Sequence, residues 1–265
     1  MTVKTVAIVQ ARMGSTRFPN KVMQPICGTP MIGLLLERLS QARHIDQIVL
    51  ATSSDPRNEP LVQYVQRLGF DVYRGSEDDV LGRYYQAAKG AKADVVVRIT
   101  GDCPLIDPEL VDAIIGLFEE KDVDYASNTM PPTYPDGLDI EAFTFKALEI
   151  AWSRATDPRL REHVTPYIRE SRQFARTNLA NETDNSCERW TVDEPEDFEV
   201  IRKVFEYFNP RRDFSWLDVL ALRQEHPELF AANRHLIRNE GLHLGTGQKL
   251  WKRAKRIIPG GNMLL

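Results

Sequence analysis

Val3-Lys4-Thr5-Val6-Ala7-Ile8-Val9 runs directly into Gln10-Ala11-Arg12-Met13-Gly14-Ser15-Thr16-Arg17-Phe18-Pro19-Asn20-Lys21, an apolar β-branched run followed by a polar, cationic loop. A run without polar alternation is expected of a parallel strand covered on both faces. Downstream, Pro30–Ala42 reads as a helix with Leu34, Leu35, Leu36 and Leu39 on its apolar side. Asp46–Thr52 reads as a strand, and Glu59–Leu68 as a helix ended by Gly69. Phe70–Tyr73 and Asp94–Thr100 follow as strands, each leading to a helix: Asp79–Lys89, closed by Gly90, and Pro108–Glu119. Strict alternation of this kind predicts an α/β fold, a parallel or mostly parallel sheet with helices on both faces. Ligands of such sheets sit beyond the carboxyl ends of the strands. The cationic loop falls at such an end.

The second half is less regular. Asp124–Ser127 reads as a strand, Thr129–Pro135 as a Pro-rich loop, and Thr144–Arg154 and Arg161–Glu170 as helices. Phe174–Leu179 and Arg189–Val192 read as strands, Glu194–Tyr207 as an amphipathic helix opened by Pro195, and Trp216–Glu225 as a last helix. From about Asn233 the chain turns basic and Gly-rich, which predicts a first domain over 1–232 and a basic tail or linker over 233–265.

Composition narrows the partners. With 34 Lys and Arg against 38 Asp and Glu, the net charge is −4, so no global positive field exists to hold a nucleic-acid backbone. Any bound anion must be held by local cations. No uninterrupted apolar stretch is long enough to span a bilayer, so no membrane partner is expected. The N-terminal segment lacks the length and cleavage site of a secretory signal. Cys27, Cys103 and Cys187 lie far apart, which speaks against a disulfide framework or zinc site and fits a reducing, cytoplasmic setting.

Three cations, Arg12, Arg17 and Lys21, fall within one short loop beside Gly14 and the hydroxyls of Ser15 and Thr16. Two guanidinium forks, one ammonium and approachable main-chain N–H groups suit a polyphosphate. Gln10, Ala11, Arg12, Gly14, Ser15, Arg17 and Lys21 are therefore candidate nucleotide-binding residues, and Arg12, Arg17 and Lys21 candidate catalytic cations. The spacing does not match a Walker A loop. A solvated connection whose charges bind nothing is the alternative reading. Asp102, in Thr100-Gly101-Asp102-Cys103-Pro104, closes the central strand where a carboxylate can reach a metal on triphosphate oxygens. Asp193, in Trp190-Thr191-Val192-Asp193-Glu194, is either a second metal ligand or the ordinary acidic start of a helix. Two hard oxygen ligands with phosphate point to Mg2+.

These segments, together with Gly101-Asp102-Cys103-Pro104-Leu105-Ile106-Asp107, Asp136-Gly137-Leu138-Asp139-Ile140-Glu141, Arg161-Glu162-His163-Val164-Thr165-Pro166-Tyr167 and Trp190-Thr191-Val192-Asp193-Glu194-Pro195-Glu196-Asp197, resemble the SpsF-type cytidylyltransferases, relatives of the CMP-KDO and CMP-sialic acid synthetases. The similarity covers about residues 4–208 in order. It implies a Rossmann-like nucleotidyltransferase fold, whose sheet resembles that of GT-A glycosyltransferases, and Mg2+-dependent transfer of CMP from CTP to a sugar-type acceptor. Enzymes of this type serve cell-surface polysaccharides such as the spore coat, and related ones are commonly homodimers. Carried over by motif, Arg12, Arg17 and Lys21 would hold the triphosphate, and Asp102 and Asp193 the metal. Asp136, Asp139 and Glu141 would line the acceptor side, with Glu162, His163 and Arg83 nearby. On the residues alone, Asp136-Gly137-Leu138-Asp139 is also a β-turn leading into a strand. Glu162-His163 is also a solvated or capping pair, and Arg83 a structural cation.

Leu250-Trp251-Lys252-Arg253-Ala254-Lys255-Arg256-Ile257-Ile258-Pro259-Gly260-Gly261 resembles the opening of class III PLP-dependent aminotransferases, which implies a fused second enzyme; a basic amphipathic tail is the alternative. Two rival functions remain. A metal-dependent glycosyltransferase would need Asp122-Val123-Asp124 as its acidic pair, which reads better as a strand entrance, and a non-catalytic nucleotide sensor would not need both candidate metal ligands.

Overall fold

Thr5–Gln10 forms β1 in the interior of the sheet. The chain is described over residues 3–236 in a computed structural model. Along β1, Ala7 and Val9 join one apolar cluster and Val6 and Ile8 the other, all four fully buried. That explains the unbroken apolar run, because each such side chain gains about 1.5–3 kcal/mol on burial whichever face it takes.

A small hairpin, β2 (Pro25–Ile26) and β3 (Thr29–Pro30), leads into α1 (Met31–Leu39), and β4 (Gln47–Ser53) follows. Next come α2 (Glu59–Arg67), β5 (Asp71–Gly75), α3 (Val80–Ala91), β6 (Val95–Thr100) and α4 (Pro108–Lys121). Beyond them lie β7 (Tyr125–Ser127), β8 (Glu141–Thr144), α5 (Phe145–Arg154), α6 (Pro158–Glu162), α7 (Pro166–Glu170) and β9 (Arg176–Asn178). The helices α8 (Pro195–Phe208) and α9 (Trp216–Glu225) complete the order.

The main sheet runs β5-β4-β1-β6-β8-β7-β9. β1 pairs in parallel with β4 and β6, Val9 lying opposite Leu50 and Ile99. Among the described strands of this sheet, only β8 runs against the rest, pairing antiparallel with β6 and β7. The mostly parallel α/β architecture expected from the sequence is the one observed. Side chains of α1, α2, α4, α8 and α9 fill one face, and those of α3, α5 and α7 the other.

Three expectations need correction. Gly90 does not close α3; it lies inside the helix, which ends at Lys92 in the left-handed conformation with φ 55°. The helix expected over 161–170 is broken into α6 and α7, because Val164 takes φ 68° and Pro166 has no N–H to carry the ladder onward. The strand expected at Arg189–Val192 is not a strand. Its backbone is shared between two segments, with one bridge to Asp136 and one bond from Val192 N–H to the Asp102 carbonyl at 2.8 Å. The tail 237–265, with its aminotransferase-like segment, lies outside the described residues.

Candidate active site

The chain leaves β1 toward β4 and leaves β6 toward β7, so the two connections part at neighbouring strand ends. Such a divergence opens a crevice at the carboxyl edge of an α/β sheet. Gly101 brings its walls together. Its N–H donates to the Gln10 carbonyl at 2.7 Å, and a methyl group there would sit 2.6 Å from Ala11 Cβ and 2.8 Å from Gln10 O.

The cationic loop is folded upon itself. The Met13 carbonyl accepts the N–H groups of Ser15 and Asn20, each at 3.0 Å, while Met13 N–H donates to Asn58 Oδ1 at 2.8 Å. Asn20, at φ 60°, feeds a 3-10 turn over Lys21–Met23 in which Lys21 is buried. Lys21 Nζ then donates to three oxygens: Val192 O at 2.6 Å, Asp193 Oδ1 at 3.0 Å and Asp102 Oδ2 at 3.1 Å. Arg17 Nη2, half-exposed, reaches the same Asp193 oxygen at 2.8 Å. Three distant stretches of the chain thus meet at one point, bringing together Arg17 and Lys21, Asp102, and Asp193.

Electrostatics fixes the charge states of Lys21 and Asp102. Burial pulls the Lys21 ammonium down, yet Asp102 and Asp193 together outweigh it and hold its pKa above the ordinary value. Burial pushes the Asp102 carboxyl up, but Lys21, with a hydrogen bond from Thr100, draws it down to about 2. At neutral pH both are charged, so Lys21 is a fixed cation and no proton acceptor. Cys103, beside them, is a neutral thiol because burial and the Asp102 charge push it well up.

The other candidates take separate places. Arg12 ion-pairs with Glu77, at the end of β5. Arg83 is buried, donates to the Ser76 carbonyl at 2.6 Å, and lines a cavity of about 180 Å3 with Tyr73, Asp79 and Trp152. Asp136 is buried with its carboxylate 3.4 Å from Arg189, and its N–H and carbonyl bond Glu188 and Trp190. Gly137, at φ 112°, packs on the same segment; a methyl there would lie 2.6 Å from Thr191 N. Asp139 is half-buried near Cys103. Glu141 faces away from open space: its carboxylate is buried and accepts from Arg98, from Tyr125 OH at 2.6 Å and from Thr165 Oγ1 at 2.6 Å. Glu162 and His163 are exposed at the break between α6 and α7. The Asp122-Val123-Asp124 stretch caps α4 and receives Ala175 N–H at the entrance to β7, a structural use of both acids.

A divalent cation fits this chemistry. Asp102 and Asp193 present hard oxygens within about 3.1 Å of one cationic atom. Among the described residues no cluster of three or more His, Cys, Asp or Glu is arranged as a closed metal site. Two carboxylates of this kind suit an open divalent-cation site rather than a closed structural ion.

A family model described as Cytidylyltransferase matches residues 6–233. The chain belongs to the cytidylyltransferase family. As a member of it, the chain is a nucleotidyltransferase. The spore coat polysaccharide biosynthesis protein SpsF of Bacillus subtilis (strain 168) is 32% identical over 228 residues, 83% of this chain and 94% of that protein. The structure of a cytidylyltransferase from Leptospira borgpetersenii matches with TM-score 0.83 and 34% identity over 86% of this chain and 97% of that one. CMP:2-keto-3-deoxy-manno-octonic acid synthetase complexed with CTP, at 21% identity, shares the fold with TM-score 0.59, over 77% of this chain and 99% of that one. No helix among the described residues of this cytidylyltransferase is long and apolar enough to cross a membrane.

Sequence reasoning missed two residues that touch the site, Arg189 and Asp197. Arg189 lies 3.5 Å from Asp193, and Asp197 accepts the Asp193 N–H at 3.0 Å. A weak signal existed in the acidic Glu-Pro-Glu-Asp run, which serves equally as a helix start.

Proposed function

We propose that this enzyme transfers CMP from CTP to an anionic sugar-type acceptor, a sugar phosphate or an acidic sugar, releasing pyrophosphate in the cytoplasm for cell-surface polysaccharide synthesis. One observation carries the reading. Lys21, held permanently protonated, sits between Asp102 and Asp193 at the mouth of the sheet's central crevice, with Arg17 alongside.

In this reading an acceptor oxyanion attacks the α-phosphorus of CTP in line with departing pyrophosphate. Lys21 and Arg17 neutralise charge growing on the phosphates, and Arg12 reaches the same chain from the other arm of the loop. Catalysis of this kind is positioning plus charge stabilisation. Asp102 and Asp193 would hold Mg2+, which would supply Lewis-acid polarisation when bound. Arg83, Asp136 and Asp139 line the acceptor side, with Glu162 and His163 at its rim, while Glu141 holds Arg98, Tyr125 and Thr165 in register beneath it. An acceptor phosphate arrives already ionised and needs no general base, whereas the hydroxyl of an acidic sugar must give its proton to one as it attacks.

Pyrophosphate release, measured with each of four nucleoside triphosphates against a panel of sugar phosphates and acidic sugars, tests the reading. CTP with one acidic acceptor should turn over. Asp102→Asn should abolish that release while circular dichroism stays native. Preference for another nucleotide, or near-normal release by the variant, sinks it.

A further inference from the structure

Asp197 does more than a helix start requires. As the third residue of α8 it forms a capping box with Glu194, for which one bond from the Glu194 N–H, here 2.9 Å, is sufficient. Yet the same oxygen also accepts the N–H of Asp193 at 3.0 Å. Its carboxylate is gripped by the Arg189 fork, Nε to Oδ1 at 2.8 Å and Nη2 to Oδ2 at 2.9 Å, and Asn233 Nδ2 adds a further bond at 2.9 Å. Asp197 is fully buried. Burying a carboxylate this far is unfavourable unless its lone pairs are filled, and here five donors fill them.

These bonds converge on Asp193. Its backbone N–H and that of Glu194 are both tied to Asp197, so the peptide carrying the side chain cannot rotate freely. Arg189 Nη2 stands 3.5 Å from Asp193 Oδ2, which leaves Oδ1 turned to Lys21 and Arg17. The same guanidinium reaches Asp136 at 3.4 Å through Nη1. Asn233 closes the arrangement by also donating to the Arg189 carbonyl at 3.0 Å.

We infer that Arg189, Asp197 and Asn233 are positioning residues: a buried clamp that presents Asp193 to the nucleotide-bound cation and joins it to Asp136 on the acceptor side. This rests on the proposed nucleotide–metal reading of the site. Groups that hold a ligating carboxylate are typically worth about 10–100-fold in metal affinity or activity. A clamp that served only stability would leave cation binding in the folded protein unchanged.

The test compares the full chain with Arg189→Lys, Asp197→Asn and Asn233→Ala. Mn2+ binding in the presence of CTP is followed by electron paramagnetic resonance, alongside kcat and KM for CTP and the thermal midpoint. Asp197→Asn should weaken Mn2+ about 10–100-fold and lower kcat, with KM for CTP changed less. Arg189→Lys, which keeps the charge but loses the fork, should not rescue. Asn233→Ala, the mildest change, should shift Mn2+ affinity in the same direction by a smaller factor, and it keeps the test open should the other two fail to fold. Wild-type Mn2+ affinity in folded variants overturns the clamp and leaves the reading of the site standing. A wild-type chain that takes up no Mn2+ with CTP overturns both.

Discussion

The Lys21 ammonium sits between two carboxylates that would otherwise repel one another. Lys21→Met therefore acts twice. It removes a cation from the phosphate path, which should lower kcat/KM by about 10²–10³, the scale of a lost charge-stabilising donor. It also leaves Asp102 and Asp193 facing each other, and the Asp102 pKa, held at about 2 chiefly by Lys21, should climb. Because both aspartates keep part of their surface in water, the stability loss should stay near 1–2 kcal/mol, below the figure for a dry pair. Steady-state kinetics and a urea midpoint check the two halves; near-native kcat/KM would remove Lys21 from the chemistry. The meeting of Lys21 with Asp102 was legible in the sequence because a cation cluster and an acid stood at the ends of β1 and β6, whereas Asp193 stayed open between a metal ligand and an ordinary helix start. Arg189 and Asp197 were not legible. An Asp three residues into a helix is an ordinary cap, and only the fold brings Arg189, Asn233 and the Asp193 amide to that Asp.

Helix α4 shows how local chemistry sets an element and a tertiary contact together. Asp107 Oδ1 accepts the N–H groups of Glu109 and Leu110 at 3.0 and 3.1 Å, Pro108 takes the first turn, and Asp122 at φ 47° ends the helix. The other Asp107 oxygen accepts Trp216 N–H at 2.8 Å, docking the start of α9. Asp107→Ala should thus cost more than a simple cap, about 2 kcal/mol, and lower the thermal midpoint by about 4–8 °C in a chain of this size. Turnover with CTP should change little in the folded protein. A shift of under a degree would show that α9 docks by apolar packing alone. The βα alternation of the first half was readable because its apolar runs and helical periodicities are local, even though one stop signal, Gly90, lies inside its helix. The break between α6 and α7 was not: Val164, buried at φ 68°, and Thr165, bonded to Glu141 24 positions away, meet their neighbours only in the folded chain. The Arg189–Val192 run fails as a strand for the same reason, since its partners belong to two segments it meets only after folding.

Across the whole molecule, two buried carboxylates are each held by an arginine: Glu141 by Arg98, its register partner across β8 and β6, and Asp197 by Arg189 under the site. A net charge of −4 says nothing of either. Burial pushes the Glu141 carboxyl up, but Arg98 with the Thr165 and Tyr125 hydroxyls holds it below its ordinary 4.5. Asp197 likewise lies below 3.8, burial being outweighed by Arg189. A carboxyl whose folded pKa lies below its unfolded value adds stability that is complete above the unfolded value and lost as pH falls through the folded one. The urea midpoint should therefore hold from pH 7 to about 5 and then decline from near pH 4.5 downward. Lys21 bears on the opposite limb: its raised pKa keeps its contribution intact below 10.5 and loses it only above. Glu141→Gln separates the acid terms. It leaves Arg98 buried opposite a neutral amide, which should cost about 3–5 kcal/mol at pH 7. It should also flatten the acid decline, because one of the linked protons is gone, leaving the parts that belong to Asp197 and Asp102. An acid slope unchanged by Glu141→Gln would mean that the Glu141 carboxyl titrates alike in the folded and unfolded chains, and that Arg98 is held by packing rather than by charge.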